Sequence, residues 1–124
     1  MSLEKVGFFF EQSEEAQRIH LITIRNRTAH AKEHDILRYL ASGIDAGVAM
    51  IVETDPLKSP PIVVGKGLLK TDSKWIWPNS LEYFVREYHI SLPAEFLGQM
   101  EANNWLVPID SAFAPDIPQG YIEM

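Results

Sequence analysis

The sequence predicts an α+β fold, with a mostly antiparallel sheet of about five short strands, one helix between strands and a C-terminal pair of helices. Three observations predict it. The length of 124 residues fits a single domain. Short β-branched and aromatic runs separated by turn residues indicate strands, and three later stretches carry apolar residues at helical spacing. We expect one domain over residues 1–108 and an extended, proline-containing tail over residues 109–124.

The N-terminal part of the chain is expected to form a β-hairpin. Val6–Phe10 is a short apolar run, and Ile19–Ile24 is rich in β-branched residues, so both are interpreted as strands. Glu11–Arg18 lies between them, is polar, and fits either a turn or one helical turn. Asn26–Ala31 is expected to form the connection to the next element.

A helix and a buried strand are expected to follow. Lys32–Ser42 places Ile36 and Leu40 on one side of a helix, and Gly43 comes next as the residue that ends it. Gly47–Glu53 is apolar without clean alternation, which predicts a strand that is buried on both faces.

Prolines and glycines divide the region after this strand. Asp55–Pro61 contains three prolines and is interpreted as a loop. Ile62–Leu69 is interpreted as a strand in which Gly65 and Gly67 indicate a bulge or a sharp twist. The short turn that follows is expected to pair this strand with residues 74–77 in a hairpin.

The stretch Lys74–Pro108 carries the strongest pattern in the chain. Trp75 and Trp77 alternate across one residue, so both indoles leave the same face of a strand. Asn79 is expected to cap the helix that follows, with Glu82 three residues later as its capping-box partner.

A second helix is expected close behind the first. Ser91 and Pro93 mark its start, and Phe96 and Met100 lie on its buried side. It is expected to end near Asn103, which completes the C-terminal helix pair.

The composition excludes several classes of protein. The net charge is −6, and all of the excess is C-terminal: residues 1–70 carry nine acids and nine bases, whereas residues 71–124 carry eight acids and two bases. An acidic surface disfavours nucleic-acid backbones and favours a basic protein partner.

No apolar run approaches the ~18 residues of a membrane span. The absence of cysteine is typical of cytoplasmic proteins. We expect no nucleic-acid partner, no membrane association, no cofactor and a cytoplasmic location.

One motif suggests a metal site. His30, Glu33 and His34 form the H-x-x-E-H order of one class of zinc metalloproteases, in which the glutamate acts on a metal-bound water. The helix is expected to begin near Lys32, which leaves His30 in the preceding loop, and the chain is far shorter than such enzymes. We therefore predict no metal site and interpret the two histidines as solvated.

Trp75, Trp77 and His89 are the candidate ligand-binding residues. Two indoles on one strand face can form a stacking platform for a sugar or a base. The competing interpretation is that the indoles belong to the core, because an amphipathic helix follows them at once. His89 ends that helix, where an imidazolium ion interacts favourably with the helix dipole.

The same stretch resembles a group of small bacterial proteins without an established activity. Their pattern is T-D-G-x-W-x-W-P, L-x-Y-Y-V-x-x-Y-H, L-P-x-x-F and W-x-x-P. The matching residues are Thr71, Asp72, Trp75, Trp77, Pro78, Leu81, Tyr83, Val85, Tyr88, His89, Leu92, Pro93, Phe96, Trp105 and Pro108. Ser73 replaces the turn glycine, and Phe84 replaces the second tyrosine of L-x-Y-Y-V. The upstream I-L-R-Y-L-A-S-G, which ends at Gly43, is similar too, so the resemblance covers about residues 33–108.

These observations favour a non-enzymatic domain that binds another protein. By analogy with other small α+β proteins, an immunity-type inhibitor of a bacterial toxin is one specific form of this role. The alternative is a small-molecule binder or an enzyme with a pocket near Trp75, Trp77 and His89. The apolar residues of the tail lead us to expect that residues 109–124 cover a surface, and that exchange of this arm forms a homodimer.

Overall fold

The computed structural model describes residues 3–108, and within them it shows the expected α+β fold. The helices are α1 (Glu14–Ile24), α2 (Glu33–Ala41), α3 (Leu81–Tyr88) and α4 (Ala94–Ala102). The strands are β1 (Glu4–Lys5), β2 (Ile44–Val48), β3 (Glu53–Asp55), β4 (Ile62–Gly65), β5 (Leu68–Thr71) and β6 (Trp75–Pro78). A short 3₁₀ helix spans Phe9–Glu11.

The strands form two separate sheets. The larger sheet has the order β1-β6-β5-β2, in which β1 runs parallel to β6 and the other pairs are antiparallel. β3 and β4 pair only with each other, as an antiparallel two-stranded sheet that we call the hairpin. The prediction of a mostly antiparallel sheet is confirmed.

The larger sheet is buried on both faces. Trp75 and Trp77 of β6 project from one face into the main core, beneath the helices. Ile76 projects from the other face into a smaller core with Leu69 of β5 and Phe8 of the N-terminal segment. The same-face prediction for the two indoles is confirmed, because alternate residues of a strand point to opposite sides.

The predicted strand Ile62–Leu69 is two strands, β4 and β5, which belong to different sheets. Gly67 has a φ of +83° at the break, and a Cβ there would lie 3.2–3.3 Å from the backbone nitrogens of residues 49–51. Only a glycine fits so close a backbone approach at this φ. The pairing predicted between Ile62–Leu69 and residues 74–77 is therefore made by β5 and β6 alone. The bulge predicted near Gly65 is confirmed as a register shift between β3 and β4.

The predicted N-terminal hairpin is wrong. Ile19–Ile24 is the second half of helix α1, which begins after Ser13, and the side chain of Ser13 accepts a hydrogen bond from the amide of Ala16. This cap, with acidic residues in the first turn, outweighs the weak strand preference of the β-branched run. Val6–Phe10 is not a strand either, because Gly7 has a φ of +80° and ends the pairing of β1.

Three further boundaries differ from the predicted ones. Gly47–Glu53 is not one strand: β2 ends at Val48, and Met50, with a φ of +52°, turns the chain toward β3. Ser80, not Asn79, precedes α3, and it makes no side-chain cap, so the capping box with Glu82 is absent. The helices predicted at Lys32–Ser42 and before Asn103 are confirmed as α2 and α4.

The tail predicted over residues 109–124 lies outside the described residues. Among residues 3–108, no helix is both long and apolar enough to cross a bilayer.

Candidate functional site

The two tryptophans predicted as ligand-binding residues lie in the core. Trp75 stacks on Phe96 with ring centroids 5.0 Å apart, and Trp77 lies between Phe96 and Tyr39. The indole Nε1 of Trp77 donates to the carbonyl of Leu40 at 3.3 Å. The core interpretation of both residues is confirmed by their burial. A ligand-binding role for the indoles stays a prediction that would require the core to open.

His89 lies at the other end of α3 and is joined to the sequence motif near α2. Its Nδ1 lies 2.7 Å from Oε1 of Glu33, so a residue of H-x-x-E-H and the candidate histidine form one pair. The ring of His30 turns back on its own chain, where Nδ1 accepts a hydrogen bond from the amide of Lys32 at 2.9 Å. His34 is exposed on α2.

These side chains do not form a metal centre in the described part of the chain. Among residues 3–108, no three His, Asp or Glu side chains come together closely enough to hold an ion. His30 lies in the loop before α2, as the helix start near Lys32 implies. The two histidines therefore do not share a helical face in the arrangement that the motif requires.

The hairpin holds a second group of polar residues, which the sequence alone does not reveal. Asp55 at the end of β3 is fully buried, and its Oδ2 accepts hydrogen bonds from the hydroxyl groups of Tyr83 at 2.6 Å and Tyr88 at 2.5 Å. Its Oδ1 accepts from the amide of Leu57 at 2.9 Å. Burial, and then the hydrogen bond to Asp55, raise the pKa of both tyrosines far above the usual range. Both phenols therefore stay protonated and remain donors to the carboxylate.

Glu53 makes the corresponding contact at the other end of β3. It is buried, and its carboxylate accepts from the hydroxyl of Ser80 and from the amide of Gly67, the latter at 3.1 Å. Burial raises the pKa of Glu53, and these two hydrogen bonds oppose the rise. Gly65 leaves room for this carboxylate, since a Cβ there would approach Oε2 to 2.5 Å.

One ion pair completes the attachment of the hairpin to α3. The ammonium group of Lys58, in the loop between β3 and β4, lies 2.8 Å from Oε2 of Glu87 and 5.7 Å from the ring centre of Tyr88. Val64 and Leu57 add apolar contacts, because they are partly buried against the main core. The inner face of the hairpin thus combines these apolar contacts with carboxylate–hydroxyl contacts to α3 and to Ser80, which precedes it.

The outer face of the hairpin is apolar and exposed. Thr54 pairs with Val63, and Val52 lies two residues before Thr54, so the three side chains share the face opposite the two acids. Val52 is 64% exposed and Val63 is 59% exposed. Met50, which precedes β3, is exposed as well. Ile62 pairs with Asp55 and therefore lies on the side of the acids, although it is 45% exposed. We call Val52, Thr54 and Val63 the hairpin face.

Sequence reasoning missed this site because it places Glu53 at a strand end and Asp55 in a loop, where carboxylates are normally solvated. The i, i+2 spacing of two acids opposite valines was the available signal, since in a strand it separates a polar face from an apolar one. Nothing local shows which of those faces is buried.

Comparisons with protein-family models, with curated proteins and with solved structures give no match to this chain.

Proposed function

We propose that this protein acts by binding another protein rather than by catalysis, and that the hairpin face is its contact surface. The observation that carries the proposal is the reversed orientation of β3. Its acids, Glu53 and Asp55, are buried, whereas the neighbouring Val52 and the cross-strand Val63 are exposed. Strands with one buried face normally turn the apolar side inward.

Binding of a partner over this face would be favourable, because it would bury apolar side chains that stay exposed in the folded residues 3–108. Full burial of an exposed valine side chain contributes roughly 1.5–3 kcal/mol. In a two-stranded sheet, β3 and β4 each keep one edge that is unpaired within residues 3–108. An incoming strand can therefore add backbone hydrogen bonds to the apolar contact, as in recognition by strand addition.

The charge of the chain indicates what kind of partner fits. The sequence carries a net charge of −6, and residues 71–124 hold eight acids against two bases. Opposite charge steers association and disfavours partners of the same sign. We infer a basic protein that presents an extended segment with β-branched or aromatic side chains. An immunity-type inhibitor that covers a basic toxin is one specific form of this function.

Site-specific photo-crosslinking tests the proposal. A benzophenone amino acid replaces Val63 in one variant and Ile19 of α1 in the control, and both positions are 59% exposed. In cells that produce the protein naturally, we expect position 63 to give a discrete product with one basic protein and position 19 to give none. Val52→Lys, combined with the label at position 63, should abolish the product.

Three results would contradict the proposal. They are equal products from the two positions, a product at position 63 that survives Val52→Lys, and no product at position 63. A product with twice the mass of the chain would contradict the basic partner and show that a second copy of this chain binds the hairpin face.

A further inference from the structure

A cavity of about 370 Å3 lies at the junction of the loop before α2, the segment after α3 and the first turn of α4. Its lining includes the polar residues Asn26, His30 and His89 and the apolar residues Ile36, Leu92 and Leu97. The volume falls at the small end of the range of ligand cavities, roughly 300–1,000 Å3. A lining that is partly polar and partly apolar fits a small amphipathic molecule.

His89 lines this cavity and has an unusual backbone conformation. Its φ is +51°, in the left-handed region where glycine or asparagine normally ends a helix. Its carbonyl accepts from Nδ2 of Asn26 at 2.7 Å, and Nδ1 lies 2.7 Å from Glu33. A carboxylate only accepts hydrogen bonds, so the proton of the ring lies on Nδ1 when Glu33 is ionised. Nε2 has no partner among the described residues.

Basic residues lie next to His89, although the whole chain is acidic. An adjoining cavity of about 480 Å3 shares Asn26 and His89, and adds Arg25 and Arg27 to its lining. Neither arginine forms an ion pair with residues 3–108. Glu87 also lines this second cavity, but its carboxylate is bonded to Lys58 at 2.8 Å. Two arginines without an ion pair among residues 3–108 therefore line the cavity next to His89, where Glu33 is the acid in contact with the ring, in a protein of net charge −6.

We propose that the two adjoining cavities bind a small amphipathic anion, of which a medium-chain carboxylate is the simplest. The anionic head lies on the side of Arg25 and Arg27, because guanidinium groups bind carboxylates with paired, charge-assisted hydrogen bonds. His30 can add one donor, since its Nδ1 accepts from the Lys32 amide and the neutral ring then carries its proton on Nε2. The apolar chain lies on Ile36 and Leu97. This site is separate from the hairpin face and does not depend on the protein-binding role.

The probe is sodium octanoate, titrated into the full chain and followed by two-dimensional NMR of the backbone amides. We expect shift changes confined to residues 22–36 and 87–97, which contain the lining of both cavities. The expected Kd is on the order of 0.1–1 mM, as the few non-hydrogen atoms of octanoate allow. Octylammonium, which has the same tail and the opposite charge, should bind at least about tenfold more weakly, since a charge-assisted contact is lost.

Two matched variants locate the anion. Arg27→Gln should weaken octanoate binding about tenfold. Arg18→Gln removes the same charge from α1, outside both cavities, and should leave the Kd unchanged. Equal binding of octanoate and octylammonium would overturn the proposal, as would shift changes at other residues. Equal weakening by the two arginine variants, or no binding up to 10-fold above the expected Kd range, would overturn it too.

Discussion

The two sheets of this protein are built in opposite ways. In the larger sheet, β6 turns Trp75 and Trp77 into the main core and Ile76 into the smaller one, so its apolar residues are buried on both faces. In the hairpin, β3 buries Glu53 and Asp55, whereas Val52 and Val63 are exposed. The larger sheet is held by apolar burial, whereas the hairpin is attached to α3 by polar contacts of defined geometry. Because Val52 and Val63 of the hairpin face are exposed, we expect substitutions there to disturb the fold less than substitutions in the larger sheet.

The largest expected effect comes from the larger sheet. Trp77→Ala should lower the free energy of unfolding by about 3–5 kcal/mol, because it leaves a cavity between Tyr39 and Phe96. Chemical denaturation monitored by circular dichroism measures this change. Leu106→Ala, at a residue that is 52% exposed, is the control and should stay within about 0.5 kcal/mol. Equal losses in the two variants would show that the core is elsewhere.

The hairpin should respond more weakly to loss of its main polar anchor. Asp55→Ala removes the acceptor of Tyr83, Tyr88 and the Leu57 amide and should cost about 2 kcal/mol. The loss is limited because both phenols are partly exposed and can donate to water instead. Tyr83→Phe removes only one of these donors and should cost about 1 kcal/mol in the same denaturation experiment. A larger loss for Tyr83→Phe than for Asp55→Ala would contradict this attachment.

Glu53 makes the attachment depend on pH. Burial raises the folded-state pKa of Glu53 above its ordinary value of 4.5. The folded state then binds the proton more tightly than the unfolded state, so this contribution to stability is complete below pH 4.5 and is lost as the pH rises through the raised pKa. The free energy of unfolding of the wild type should fall relative to Glu53→Gln across that window. A difference between the two proteins that stays constant with pH would contradict the raised pKa.

The smallest effect is expected on the hairpin face. Val63→Lys should change the free energy of unfolding by no more than about 0.5 kcal/mol, because the side chain is 59% exposed and contributes little to the core. The same denaturation experiment tests it. A loss above about 1 kcal/mol would mean that Val63 packs against part of this chain, and the face would not be free.

The sequence predicted the regions where local pattern and burial agree. Helix α2, the β5–β6 hairpin and the burial of Trp77 follow from periodicity and turn residues that point to the same structure. Ile19–Ile24 was mispredicted because β-branched residues in a short run fit a strand or a helix, and the cap at Ser13 decided between them. The deciding signal, a serine followed by two glutamates, is therefore present in the sequence.

The candidate site was beyond prediction for a different reason. The contacts of Asp55 with Tyr83 and Tyr88 join residues 28 and 33 positions apart, and that of His89 with Glu33 joins residues 56 apart. No local pattern encodes such pairs, because each residue type is ordinary on its own element. The buried side of β3 is set by long-range contacts of this kind, with the tyrosines of α3 and with Ser80 and Gly67.

Backbone hydrogen exchange of Asp55→Ala shows whether the hairpin is attached to the core as a separate unit. The measurement compares amide protection in residues 53–65 with protection in residues 68–78, in the variant and in the wild type. We predict that protection falls in residues 53–65 and is retained in β5 and β6, since the hairpin can detach while the core stays packed. An equal fall in both regions would show that the two sheets form one cooperative unit. Unchanged protection in residues 53–65 would show that Asp55 does not hold the hairpin.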